Sequence, residues 1–187
     1  MKDSVLRERL FGALVVAFAV AACSEPGRAP RADTKPGEWK VFEGSWVAAG
    51  TVRTIPLGGE RRASLADLSG TLMLAGPSRP DVGFRGEAIA LTDSQSGMVG
   101  RAVWTDERGD QVFSELHGGG PAKGSHVTGT FIGGTGRYAG AAGSYEFTWE
   151  YVIAAEDGTV QGRAVGLKGR VRSETTAAPT SDGGRRP

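Results

Sequence analysis

Two titratable side chains stand two residues apart at Glu115 and His117, with Phe113 on the same alternating face. In an apolar pocket such a pair could exchange a proton, because burial and a close neighbour move pKa values toward neutrality. At a polar strand end beside Gly118 the same pair is only solvated. His126 could approach His117 across residues 118–124. Two histidines are too few for a zinc site, which uses three or four protein ligands, so no metal is expected. Arg85 and Arg101 sit in otherwise apolar segments, where they either meet an acidic ligand or face solvent. No Gly-x-Ser-x-Gly elbow is present for a serine nucleophile. Residues 118–125 place Lys123 before Gly124, the wrong order for a phosphate loop. No cofactor is expected.

Cys23 is the only cysteine. Before it come a polar start with Lys2, Arg7 and Arg9, an uncharged apolar run over residues 10–22, and the small residues Val20-Ala21-Ala22. That order makes residues 1–22 a secretory signal peptide. The apolar run is shorter than the roughly 20 residues that cross a bilayer. Val20-Ala21-Ala22-Cys23 resembles the lipobox of bacterial lipoproteins. The resemblance implies acylation of the Cys23 sulfur, cleavage before it and acylation of the new amine. Two or more acyl chains anchor a protein stably. Ser24, a residue other than Asp, implies the periplasmic face of the outer membrane where the cell has one. An acylated Cys23 leaves no thiol for a disulfide, a metal or a nucleophile.

The chain carries 22 Lys+Arg against 21 Asp+Glu. Loss of residues 1–22 removes Lys2, Arg7, Arg9, Asp3 and Glu8, which leaves the mature chain formally neutral. Nucleic-acid binding needs a basic footprint, and none is present. A membrane partner is expected through the lipid, and a protein partner is not legible.

The elements that must position these residues are strands. Residues 23–37 and 173–187 are rich in Pro, Gly, Ala and charge, and read as a tether and a tail around a domain at 38–172. Residues 143–152 alternate: Tyr145, Phe147, Trp149 and Tyr151 on one face, Ser144, Glu146, Thr148 and Glu150 on the other. Period two with aromatics marks a half-buried strand. Further strands are expected at 41–56 with a bend at Gly50, and at 68–75, 82–91, 98–106, 111–117, 126–133 and 159–172. Short turns make neighbours antiparallel. The fold expected is all-β: a closed up-and-down barrel of about eight strands, with a β-sandwich as the alternative.

Gly133-Gly134-Thr135-Gly136-Arg137-Tyr138-Ala139-Gly140, with Gly143 opening the aromatic strand, resembles the allene oxide cyclase/dirigent barrel superfamily. The resemblance implies a calycin-like eight-stranded barrel whose lumen guides a ligand or substrate by shape. Tyr138 would then point in as a plug. Gly44-Ser45-Trp46 is similar to the Gly-x-Trp of lipocalins, in which the Trp packs under an arginine of the last strand, here Arg170 or Arg172; Trp46 as plain core is the alternative. With the aromatics turned inward, Phe113, Tyr145, Phe147, Trp149 and Trp104 are the residues expected to meet a ligand. Three readings follow: an envelope lipoprotein whose barrel binds a small apolar ligand or is structural, a cyclase or isomerase acting by lumen shape, and a protein-interaction module. A lumen above about 300 Å³ supports ligand or catalysis; a packed one leaves the outside as the working surface.

Overall fold

The computed structural model describes residues 37–76, 79–119 and 125–173. The expected signal peptide, Cys23 and most of the expected tether and tail lie outside the described residues. Eight strands follow in chain order: β1 (Lys40–Pro56), β2 (Arg62–Gly76), β3 (Arg79–Asp93), β4 (Gly97–Asp106), β5 (Gln111–Gly118), β6 (Ser125–Gly134), β7 (Ala142–Ala154) and β8 (Thr159–Arg172). Each is antiparallel to the next, and β8 returns to β1, so the barrel is closed. Closure leaves no unpaired strand edge.

Alternation decides which face is which. In β7, Tyr145, Phe147 and Trp149 are buried and Ser144 is exposed. In β2 the buried set is Ala66, Leu68 and Leu72. Period two therefore holds around the ring, with the apolar set inside. β2 and β3 are longer than the apolar pattern predicts, because their outward positions are polar, small or exposed apolar residues that carry no clear alternation. The bend expected at Gly50 is not where the register breaks. Gly50 pairs continuously with Leu68, and the β1–β8 shift lies between Gly44 and Trp46. Gly50 is needed for close approach instead: a Cβ there would overlap the Asp67 carbonyl oxygen.

The turns follow the chemistry of their residues. Ala155-Glu156-Asp157-Gly158 closes β7 onto β8, with Gly158 at φ +87° and its N–H donating to the Ala155 carbonyl at 3.1 Å. Between β6 and β7 a single 3-10 turn, η1 (Gly136–Tyr138), crosses the barrel end. Thr135 fixes it. Its N–H donates to the Gln111 carbonyl at 2.8 Å, and its Oγ1 accepts the Gln111 N–H at 2.9 Å. Gly136 takes φ +50°, and a Cβ there would strike the Asp110 carboxylate.

The described chain enters at β1 and leaves at β8 on the same end of the barrel, which also carries η1. We call it the tether end.

Candidate functional site

The lumen was the expected site, and its contents are aromatic. Trp104 lies at the centre of the tether-end half, with ring centroids 4.7 Å from Tyr145, 5.2 Å from Phe131, 6.2 Å from Phe84 and 6.3 Å from Phe42. Deeper in, Trp46 stands 5.2 Å from Trp149 and 6.3 Å from Phe147. Small residues on the facing strands make room for these rings: Ala66, Ala88, Ala90, Ala102 and Ala164 are all buried. Large against small across facing positions is how a narrow barrel fills. Gly129 shows how tight the fit is. It pairs with Tyr145, and a Cβ on it would fall inside the phenol ring. Gly129→Ala should therefore cost about 1–3 kcal/mol of stability, as overpacking does, read as a lower urea midpoint at unchanged slope.

Little space remains. Two gaps in the lumen measure about 10 and 30 Å³. A larger pocket, about 110 Å³, lies at the tether end and is lined by Phe42, Phe84, Trp104, Phe131 and Tyr138 among others. Tyr138 hangs over it from η1, half-buried, 5.8 Å from Phe84.

The acid–base pair is elsewhere. Val112, Ser114 and Leu116 are the buried set of β5, so Phe113, Glu115 and His117 take the outer face. Phe113 thus does not join Tyr145, Phe147, Trp149 and Trp104 in the lumen. The physical reason is register: β5 alternates strictly, and its inward places are held by two aliphatic residues and a serine. Glu115 pairs with Arg101 at 2.8 Å on the outside. Arg85 pairs with Glu87 at 2.6 Å. His126 lies 3.7 Å from Glu146. Among the described residues, no group of three or more His, Cys, Asp or Glu is placed to hold a metal.

Trp46 is buried and sits opposite Ala164 of β8. It lies beside the last strand as expected, but among the described residues no arginine stacks on it. Arg170 and Arg172 stack on Trp39 instead, at 4.8 and 5.0 Å from its ring centroid. Trp39 precedes β1 and is exposed, so it is the aromatic those outward arginines can reach.

One polar cluster went unread in the sequence. Asp106 ends β4 with its side chain wholly buried. Its carboxylate accepts the Arg108 N–H at 2.8 Å and the Asp110 N–H at 3.1 Å. Arg137 of η1 donates to it through Nε at 2.8 Å and Nη2 at 2.5 Å, and to Glu107 at 2.9 Å. Burial pushes the Asp106 carboxyl up. The Arg137 guanidinium, the two backbone N–H groups and the Tyr138 hydroxyl outweigh it and hold the group below the usual carboxylate range. This knot ties the β4–β5 turn to η1 and so holds Tyr138 over the pocket. The signal was available: an Asp followed by a Gly-containing turn, whose side chain bonds the backbone two residues on.

Among the aromatic rings of the lumen the ionisable group is the Tyr145 phenol. Burial pushes Tyr145 well above the ordinary phenol value, with the Ser114 hydroxyl easing that push. Tyr145 is therefore neutral at any working pH. Trp46 Nε1 is buried without a hydrogen-bond partner among the described residues.

The chain matches no family model and no curated protein.

Proposed function

We propose that this chain is a lipid-tethered protein of the cell envelope, anchored through Cys23, whose barrel is a non-catalytic module that works through its outer surface and its tether-end rim. The observation that carries the reading is the filled lumen. Ligand sites of small molecules enclose about 300–1,000 Å³, and the lumen gaps are about 10 and 30 Å³. A cyclase acting by lumen shape needs that room and a group to steer charge. Resemblance of the Gly133–Gly143 stretch to the allene oxide cyclase/dirigent barrels then bears on architecture and not on chemistry.

The lipobox-like Val20-Ala21-Ala22-Cys23 supports the anchor, and the neutral mature chain leaves the lipid as the membrane-binding element. Fractionation of cells producing the Cys23→Ser chain tests it. The wild type is expected in the membrane pellet and the variant in the soluble fraction or as uncleaved precursor. A cleaved variant that stays with the membrane overturns the anchor.

A second reading has its own observation. The pocket of about 110 Å³ under Tyr138 is lined almost wholly by apolar side chains. It has room for one aromatic ring or the tip of an acyl chain, since an engineered apolar cavity of about 150 Å³ takes up benzene. A small apolar ligand of the barrel would be held there.

A further inference from the structure

The pocket under Tyr138 is sized for one side chain and small for a whole ligand. Its volume is about 110 Å³, against about 300 Å³ or more for a small-molecule site. Its walls are held from behind. The Tyr138 hydroxyl donates to the Asp106 carboxylate, which Arg137 and the N–H groups of Arg108 and Asp110 also hold. Phe42 and Phe131 pack on Trp104 at 6.3 and 5.2 Å between ring centroids, and Phe84 lies 5.8 Å from Tyr138. The hole is therefore preformed, and filling it orders few groups.

The chain itself carries nothing to fill it. Residues 24–37 and 173–187, which flank the domain in sequence, contain no Val, Leu, Ile, Met, Phe, Tyr or Trp. An acyl chain on Cys23 gains more in the bilayer, which takes its whole length where the pocket takes only the tip. The mouth also has a charged side. Lys40 and Val171 pair across β1 and β8, and both line the pocket. Trp39 precedes Lys40. Arg170 and Arg172 flank Val171 and stack on the exposed Trp39 ring. Lys40, Arg170 and Arg172 outweigh the neighbouring Glu38, so this side is locally positive although the whole chain is nearly balanced. Across the mouth Arg137 is taken up by Asp106 and Glu107, so the pull on an anion comes from the β1–β8 side. Trp and Arg around a central apolar hole are the residue types that dominate protein interfaces.

We propose that the tether-end mouth docks a segment of a protein partner, with one aromatic side chain in the pocket and adjacent acidic residues along Lys40, Arg170 and Arg172. The proposal rests on the reading of the tether-end rim as a working surface. An uncharged aromatic compound is the rival occupant, and it would gain nothing from the cations. The test uses the acyl-free mature chain (residues 23–187 carrying Cys23→Ser), followed by amide and aromatic chemical shifts. The probes are acetyl-Glu-Asp-Phe-Asp-Glu-amide, its alanine-for-phenylalanine counterpart, acetyl-Lys-Lys-Phe-Lys-Lys-amide and benzyl alcohol. The acidic peptide should give saturable shifts at Lys40, Phe84, Phe131, Tyr138 and Val171. Alanine in place of its phenylalanine should weaken binding roughly tenfold or more, the effect of leaving a ring unburied. The lysine peptide should bind roughly fivefold or more weakly, because several exposed pairs act together, and added salt should shrink that difference. Val82 lines the pocket from β3 and packs on the core, so Val82→Phe should fill the hole and abolish the shifts at an unchanged melting temperature. Arg170→Glu with Arg172→Glu should weaken the acidic peptide and leave benzyl alcohol unaffected. No saturable binding of the acidic peptide, equal binding of its alanine counterpart, or equal binding of the lysine peptide would each overturn the proposal. Benzyl alcohol bound as tightly as the acidic peptide would overturn it too, and would give the pocket to a small ligand. These shifts are read at the mouth, whereas a filled lumen is read at Trp46, Phe147 and Trp149, so either reading can fail while the other stands.

Discussion

Replacing Trp104 by alanine should destabilise the barrel by about 3–5 kcal/mol, the largest effect expected of any single core change. Trp104 is the ring that Phe42, Phe84, Phe131 and Tyr145 all pack against. Its removal takes away the transfer free energy of a buried indole and leaves a hole that four rings cannot close from separate strands. The edge-on arrangement against Phe131, at 87° between ring planes, is lost with it. Natural domains hold about 5–15 kcal/mol in total, so the variant should melt roughly 10–20 °C lower. Trp104→Phe should recover much of that loss, because it keeps part of the volume. Urea unfolding followed by circular dichroism reads both. A loss below about 1 kcal/mol for Trp104→Ala would mean that the lumen is already loose.

The second large effect is at the knot. Arg137→Met should cost about 2–3 kcal/mol at neutral pH, the scale of hydrogen bonds to a charged group that burial prevents water from replacing. Methionine keeps much of the stem but leaves the buried Asp106 carboxylate with its backbone donors alone. The effect should depend on pH. In the wild type the Asp106 pKa is depressed, so its contribution is fully present above the unfolded value near 3.9 and is lost as pH falls through the folded value. Removing the guanidinium raises the folded pKa, because burial then works against less opposition. The gap between wild type and Arg137→Met should therefore narrow as pH is lowered from 7 toward 3. Asp106→Asn in the Arg137→Met background should recover part of the stability by removing the unpaired charge. A gap that is flat from pH 7 to 3 would contradict the assignment of the effect to Asp106. Asp93, held at about 2 by the Arg61 guanidinium and backbone donors, belongs to the same acid side of the profile. It is a solvated pair, so its share should fade with added salt.

The barrel was legible in the sequence wherever one face is aromatic and the other charged. Tyr145, Phe147 and Trp149 alternating with Ser144, Glu146 and Thr148 leave no doubt about period or about which side is apolar. The same rule hid the start of β2, where Leu65 is exposed and blurs the alternation. Phe113 misled because its own strand carries a serine at an inward place: Ser114 is buried and the larger Phe113 is not. Composition alone ranks those two in the opposite order. The arginine expected on Trp46 is not there: Arg170 and Arg172 both stack on Trp39. Stacking needs both groups on one face, and inward Trp46 cannot be reached from outward arginines. The Asp106–Arg137 knot joins residues 31 positions apart, which no local pattern reveals. The mouth at the tether end was invisible for the same reason. It joins Lys40, Tyr138 and Val171 from three elements, and they meet only once registers are set.

A full lumen is what leaves the outer surface of the barrel as its working face. The most direct measurement is methyl and aromatic chemical-shift mapping of the wild-type chain titrated with benzene, with Trp104→Ala as the positive control. The wild type should show no shifts around Trp46, Phe147, Trp149 and Leu116, with any response confined to Phe84, Phe131 and Tyr138 at the rim, while the variant takes benzene into its new hole. Saturable shifts at Trp46, Phe147 and Trp149 in the wild type would contradict the account and return the ligand to the lumen.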